Sequence, residues 1–344
     1  MLRRLFRDFQ GDVVAIPGRL LALVFFVLLL IVPLVVQQPY VLRTFIFANF
    51  FVIFAVSWDL ISGYTGQVSF GHALFFGVAA YVAGILNHYL GWAPWATIPI
   101  GALAAVVAGV VMCLPALRLR GPYFFLVSMA IPLILLQVIR AFPDFTGGEH
   151  GLPISALTGD RIGDYYISLV VMIVSVMVMW KLTDARSALV RTGVIFHAIR
   201  EDEIAARASG INTVRYKILA FAVSGFFAGI AGAMYVHFMR IAGPSTLQML
   251  MSFQAVIWTV FGGIVSIYGP VAGVYILHPL MEFLRVVPEL RMLIFAVIVI
   301  VILLFMPEGI AVWIRDKLER QCPRCKLSNV WWRRNCRACD ASLY

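Results

Sequence analysis

The chain has 344 residues, of which 62% are hydrophobic and 13% charged, where an ordinary soluble domain carries roughly 25% charged residues. Mean hydropathy is +0.93 and net charge is +10, from 27 Lys and Arg against 17 Asp and Glu. A water-soluble enzyme is excluded, and none of the four lysines (Lys181, Lys217, Lys317, Lys326) follows a glycine, so no G-x-x-x-x-G-K-[S/T] phosphate loop exists.

Apolar runs of the length that crosses a bilayer, about 17–25 residues, fall near 20–36, 44–61, 72–88, 97–115, 122–139, 165–181, 218–238, 251–267, 271–287 and 291–306. The expected fold is an all-α integral membrane protein of about ten transmembrane helices in one domain, 20–306. A short N-terminal segment, 1–19, precedes it. The first run follows Arg3, Arg4, Arg7 and Arg19 in the manner of a signal peptide, but it is long and is followed by no small-x-small cleavage site, so it reads as a retained helix.

With the N-terminus cytoplasmic, ten passes return the C-terminus to the same side. Four basic residues at the N-terminus, Arg118 and Arg120, seven within 181–217 and eight in the tail then make 21 cytoplasmic. The other face has six: Arg43, Arg140, Arg161, Arg240, Arg285 and Arg291. That asymmetry satisfies the positive-inside rule.

Glycines crowd two regions, Gly63, Gly66, Gly71, Gly77 and Gly84 in one and Gly262, Gly263, Gly269 and Gly273 in the other. Such residues either let helices approach closely or interrupt them beside a transport path, and both uses stay open here. Gly66-Gln-Val-Ser-Phe-Gly71 faintly echoes Gly263-Ile-Val-Ser-Ile-Tyr-Gly269, as an internal repeat or by chance. Asp59 and His72 lie near the cytoplasmic end of their runs, where they can satisfy helix ends or each other. His278 and Glu282, four apart, share a helical face and are expected to pair. The loop 141–164, with Thr146-Gly-Gly and several acids, suits an exposed receiving surface on the far side.

The most informative stretch is the loop 183–217. Residues 198–212 read as one short helix stopped by Gly210, with Arg200, Glu203 and Arg207 on one side and Glu203 four residues before Arg207. Ala205, Ala206 and Ala208 allow close approach and Ile204 and Ile211 can anchor, the properties of a helix seated in a partner's groove or lying on its own bundle.

Ile204-Ala205-Ala206-x-x-x-Gly210 resembles the EAA loop with which permeases of ATP-binding-cassette importers dock on their ATPases. More specifically, 193–212 and, in order, 60–81, Leu117-Arg-Leu-Arg-Gly-Pro-Tyr-Phe124, Thr146-Gly-Gly, Gly262-Gly-Ile-Val-Ser-Ile-Tyr-Gly-Pro270 and Pro307-Glu-Gly-Ile310 resemble the branched-chain amino-acid permeases of the LivM type, across roughly 40–315. The departures are Ile204 at the strict glutamate position, with Glu203 one place earlier, Asp59 for a neutral amide, Pro122 for an acidic residue, and Ser128-Met-Ala-Ile-Pro-Leu133 for a glycine and a glutamate.

The resemblance implies a permease subunit, not an enzyme, in a bacterial or archaeal cytoplasmic membrane. It implies a second homologous permease, two ATPase subunits that alone use ATP, and an extracytoplasmic solute-binding protein. The cargo would be branched-chain amino acids or a small solute such as urea or an amide. ATPase coupling falls to Arg200, Glu203, Ile204, Ala205, Ala206, Arg207 and Gly210, and the translocation-path candidates are Asp59, Gly66, Gly71, His72, Gly262 and Gly263. The competing classes are a stand-alone ion-coupled secondary carrier, which would carry essential midplane acids, and a membrane metalloenzyme, which would need His and acid clusters. Only His278 and Glu282 point toward the latter.

Beyond a linker, 307–321, the tail 322–344 holds Cys322-Pro-Arg-Cys325 and Cys336-Arg-Ala-Cys339. Two C-x-x-C knuckles make a thiolate set for structural zinc, provided that 326–335 forms a hairpin with Trp331 and Trp332 as its small core; two disulfides or a redox pair are the other uses. The tail is strongly basic, and its expected contacts are, in order, anionic lipid, the ATPase and nucleic acid.

Overall fold

The structure, a computed structural model, describes residues 17–36, 38–116, 122–184, 191–325, 328–330, 334–336, 339 and 341–342. Arg3, Arg4, Arg7, the 117–121 segment with Arg118 and Arg120, Arg186, Lys326, Trp331, Trp332, Arg333 and Arg337 lie outside the described residues. Lipid offers no partner to a backbone N–H or C=O, and helices satisfy both internally. A helix accordingly falls at each of the ten expected positions. They are α1 (Pro17–Val35), α2 (Pro39–Ser62), α3 (Ala73–Leu90), α4 (Pro94–Ala116), α5 (Pro122–Ala141), α7 (Arg161–Thr183), α10 (Thr213–Met239), α11 (Met249–Gly262), α12 (Tyr268–Phe283) and α13 (Arg291–Phe305). Short helices α6 (Pro143–Thr146), α8 (Thr192–Glu201), α9 (Glu203–Ala208) and α14 (Ile310–Leu318) lie between or after them.

Among the described residues seven runs are long and apolar enough to cross a membrane, the last being Arg291–Leu318, interrupted where Gly309 takes φ +92°. The expected pass 251–267 is shorter than its apolar run: α11 has 14 residues and stops at Gly262, and α12 has 16. At 1.5 Å per residue these span only about 21 and 24 Å, less than the ~30 Å hydrocarbon layer. Gly263 at φ +121° and Val265 at φ +63° end α11 and reverse the chain before Tyr268.

Helix α2 is the axis of the bundle. Every residue from Ile46 to Ser62 is buried, which is how a helix that is apolar all round must sit. Around it pack α7, α10, α11 and α12, while α3, α4 and α10 form a second tight group. Small residues set that closeness: a Cβ on Gly101 would lie 2.7 Å from the Ala79 carbonyl oxygen, and one on Gly229 would lie 2.8 Å from Ala102 Cα. Several polar side chains are paired within the bundle: the Asn49 amide donates to Ser168 Oγ at 2.9 Å, Asn49 accepts from the Tyr275 hydroxyl, and Tyr165 donates to the Leu29 carbonyl at 2.6 Å. Apolar side chains on the outer surface, such as Leu103, Val107, Val111 and Leu114 on α4 and Met292, Leu293, Val297 and Leu304 on α13, stay exposed, as lipid requires.

At the end of the bundle opposite α8 and α9, the 141–164 loop is tied by hydrogen bonds to α3, α10 and the 241–242 segment. Strand β1 (Leu152–Pro153) pairs antiparallel with β2 (Ile241–Ala242), Asn87 bonds both the Ser155 amide and its hydroxyl, and His237 bridges Thr97 Oγ1 and the Ser155 carbonyl. Gly147, Gly148 and Gly151 supply positive φ for its turns. The expected His278–Glu282 pair does not form: the Glu282 carboxylate accepts from Tyr40, 242 positions away, and from Arg285, while His278 Nε2 is without a hydrogen-bond partner among aromatic rings.

Candidate functional site

The face carrying α8 and α9 gathers most of the residues singled out by the sequence. The single helix expected over 198–212 is instead two. Asp202 adopts an extended conformation, φ −154°, and its carboxylate accepts from the amides of Ile204 (2.8 Å) and Ala205 (3.0 Å), capping α9 and ending α8. An Asp cap stabilises a helix start by about 1 kcal/mol, enough to favour the break over a continuous polar run. Arg200 is therefore separated from Glu203 and Arg207 and belongs to α8. Gly210, at φ +83°, closes α9.

Glu203 anchors this elbow. Its carboxylate meets Lys217 Nζ at 2.7 Å, pairs with the Arg207 guanidinium and accepts from Thr213 Oγ1 at 3.1 Å, while Arg207 Nε donates to Thr213 at 2.9 Å. Partial burial pushes the Glu203 pKa upward, but the bonds from Lys217, Arg207 and Thr213 outweigh it and hold the carboxyl below its ordinary 4.5. Helix α9 is thus fastened to the first turns of α10. Ala206 is buried beneath it, whereas Ile204 is 78% exposed and Ala205 is exposed beside it. The result is a small apolar knob held on a charged base.

The α8 side touches the turn between α2 and α3. Gly66, at φ +72°, lies against Arg200: a Cβ there would be 3.5 Å from Arg200 Cγ. Tyr64 and His197 rings meet edge to face at 5.4 Å. Five residues before Tyr64, the buried Asp59 accepts from the Val265 amide at 3.0 Å, linking α2 to the 263–267 turn, and its second oxygen has no hydrogen-bond partner. Val265 is β-branched at positive φ, a conformation that costs of order 1–3 kcal/mol and persists only when its surroundings hold it. Asp59 and His72 do not pair with each other. His72 Nε2 bonds Ser57 Oγ at 2.9 Å and the Phe54 carbonyl at 3.2 Å.

The remaining path candidates sit at close backbone approaches. Any Cβ on Gly71 would collide with the Ser128 carbonyl of α5, and any on Gly262 with the Gly269 carbonyl of α12. Ser128 Oγ also receives the Phe70 amide at 3.1 Å, so α5 is pinned to the 66–71 turn. Gly263 lies under α14. The Asp59–Val265 bond joins positions 206 apart and had no signature in local spacing.

Residues 307–321, read as a linker, hold α14 and strand β3 (Glu319–Gln321). Helix α14 packs on α1, α11 and α12. Strand β3 pairs antiparallel with β4 (Ser328–Val330), flanking the first knuckle, and an Asn335–Ser342 bridge flanks the second. All four sulfurs of Cys322, Cys325, Cys336 and Cys339 lie within 4.8 Å of one another, with Cys322–Cys339 at 3.5 Å and Cys325–Cys336 at 3.4 Å. Four thiolates around one ion at ~2.3 Å have sulfurs about 3.8 Å apart, so the set fits a tetrahedral metal.

Apolar helices around a buried axis, with a capped elbow at one face, define a multi-pass membrane protein with a zinc-ribbon-like tail. The chain matches the family described as "Branched-chain amino acid transport system / permease component" over residues 40–303, and it belongs to that family. It is 26% identical over 306 residues to the high-affinity branched-chain amino acid transport system permease protein LivM of Salmonella typhimurium, covering 80% of this chain and 71% of that one. It is 27% identical over 299 residues to LivM of Escherichia coli (78% and 69%), and 25% identical over 247 residues to a probable branched-chain amino acid transport permease protein LivH of Methanocaldococcus jannaschii (67% and 76%). No solved structure matches. Helix α14 and the cysteine tail lie outside the family match.

Proposed function

We propose that this chain is the membrane-spanning permease subunit of an ATP-binding-cassette importer that carries branched-chain amino acids, or a related small solute such as urea or an amide, into the cytoplasm. In this reading it pairs with a second homologous permease, is driven by two ATPase subunits and receives cargo from an extracytoplasmic binding protein. Both termini and the α8–α9 face are cytoplasmic in a bacterial or archaeal inner membrane, which the 21-to-6 division of basic residues supports. Zinc is the ion assigned to the four cysteines: the site is closed by four thiolates, so the metal folds the tail and does no chemistry.

The observation that carries the proposal is the elbow. Ile204 and Ala205 project outward while Glu203 fastens α9 to α10 through Lys217 and Thr213. A partner gripping the knob moves α10 directly, and with it α2, α3 and α4, on which α10 packs. Arg200 carries the same motion to the Gly66 turn and, through the adjoining end of α2, to Asp59 and the Gly263 turn. ATP-driven closure of the ATPase pair would act on the bundle only by binding one position of the elbow more tightly than the other.

The test is reconstitution. Proteoliposomes containing this chain, its second permease and the two ATPases should accumulate labelled leucine or a small amide only with ATP and binding protein present. Replacing Ile204 and Ala205 by aspartate should abolish uptake while the permeases still insert. Uphill accumulation by this chain alone, driven by an ion gradient, would establish a secondary carrier instead.

A further inference from the structure

Helix α14 sits on the turn between α11 and α12. Gly309, just before α14, lies backbone to backbone against Gly262 and Gly263, and a Cβ there would fall on the main chain of Gly263. From the other side, a Cβ on Gly263 would lie 2.7 Å from Val312 Cγ2 and 3.1 Å from the Glu308 carbonyl oxygen. One turn further along α14, Arg315 Nη1 donates to the Tyr268 hydroxyl at 2.8 Å. The helix therefore grips both the first residue of the turn and the first residue of α12. Between these grips lies Val265 at positive φ, held from the opposite side by Asp59.

Helix α14 ends at Leu318 and β3 begins at Glu319, with no residue between. Among the described residues the module that follows has two three-residue strands and one bridge, and a unit well under about 40 residues usually needs a metal, a disulfide or a partner to fold. The four clustered sulfurs make a ligand at the cysteines the source of that order in the metal reading, because binding energy at such a site is folding energy.

We infer that the tail is a metal-operated clamp: a thiophilic divalent ion on Cys322, Cys325, Cys336 and Cys339 fixes β3 to β4, seats α14 and holds the 263–267 turn in its strained form, so that metal loss slackens this turn and slows transport. The inference rests on the metal reading of the four cysteines given above. It assigns the tail a regulatory role at the turn that Asp59 also holds, with zinc availability as its input.

The experiment uses the full chain in lipid nanodiscs, measuring zinc content by mass spectrometry and amide exchange of 260–268 and 306–321 before stripping with a high-affinity chelator, after it, and after zinc is returned. One zinc per chain is expected. Stripping should accelerate exchange in both segments at least tenfold, leave α3, α4 and α10 unchanged, and be reversed by zinc. As a second arm, Gly309→Ala should retain one zinc yet loosen 260–268, because its Cβ lifts α14 from Gly263. A chain that holds no zinc and takes none up overturns the cysteine reading and the clamp together. Zinc that binds and leaves while 260–268 stays protected overturns the clamp alone, as does Gly309→Ala with both zinc and turn protection intact.

Discussion

Glu203→Ala is the sharpest test of the elbow as a lever. It deletes the carboxylate that holds Lys217, whose side chain is only 10% exposed, and releases Arg207 and Thr213. Leaving a largely buried charged donor without its acceptor costs ~1–3 kcal/mol, and because Glu203 is itself 32% exposed, about 2 kcal/mol is a fair figure for the detachment of α9 from α10. That is roughly 30-fold in the docked population. Amide exchange over 203–208 should accelerate by about that factor, while reconstituted uptake per ATP hydrolysed falls and ATP hydrolysis by the partners continues. Glu203→Gln, which keeps a side-chain oxygen to accept from Lys217 or Thr213 but not the charge, should lose less than Glu203→Ala. Unchanged exchange and uptake in Glu203→Ala would refute the lever. The pH dependence has a definite sign. A carboxyl whose folded pKa lies below its ordinary 4.5 contributes stability that is complete above 4.5 and disappears as pH falls through the lower, folded value. Elbow protection should therefore be flat from about pH 5 to 8 and fail only in stronger acid.

Three further outcomes follow from the packing and the tail. Asp59→Asn keeps a carbonyl to accept the Val265 amide and should change thermal stability in detergent little, whereas Asp59→Ala orphans that amide and should cost about 1–3 kcal/mol. Gly262→Ala drives a methyl group into the Gly269 carbonyl and should sharply lower the folded yield; Gly243→Ala, with nothing within 4 Å of the added carbon, should match the parent chain in the same assay. Cobalt supplied in place of zinc should give the absorption of a tetrahedral thiolate site, lost in Cys325→Ser with Cys339→Ser.

What was legible in the sequence was whatever local composition dictates. Apolar runs located a helix at each of the ten expected positions, and glycine crowding located the close approaches at Gly71 and Gly262. The two C-x-x-C pairs located the sulfur cluster. The missed features each had a competitor that local reading could not weigh. Asp202 sits in the run Arg200-Glu-Asp-Glu203, which continues a helix by charge pattern; its cap becomes visible only if the aspartate is read as a start signal for α9. The pattern of α14 was hidden behind Pro307-Glu-Gly309, a strong breaker that suggested a linker, because nothing local indicates that Gly309 breaks the chain in order to lie on Gly263. His278 and Glu282 had ideal helical spacing, yet Tyr40 and Arg285 claimed the carboxylate.

The same limit explains why the path candidates and the coupling residues looked like two separate groups. The resemblance assigned Asp59 and Gly66 to one group and Arg200 and Glu203 to another, and only tertiary contact brings Arg200 against Gly66 and Asp59 against Val265. These contacts make the α8–α9 face a chain of stiff joints, from the Ile204 knob through α8 to the α2–α3 turn and on to the α11–α12 turn. In the proposed reading, a soft joint anywhere along it would absorb the displacement that an ATPase partner would impose at the knob. The half-buried Glu203 pairs, the capped start of α9 and the backbone-to-backbone contacts of Gly262 and Gly263 are three ways in which this sequence avoids such softness.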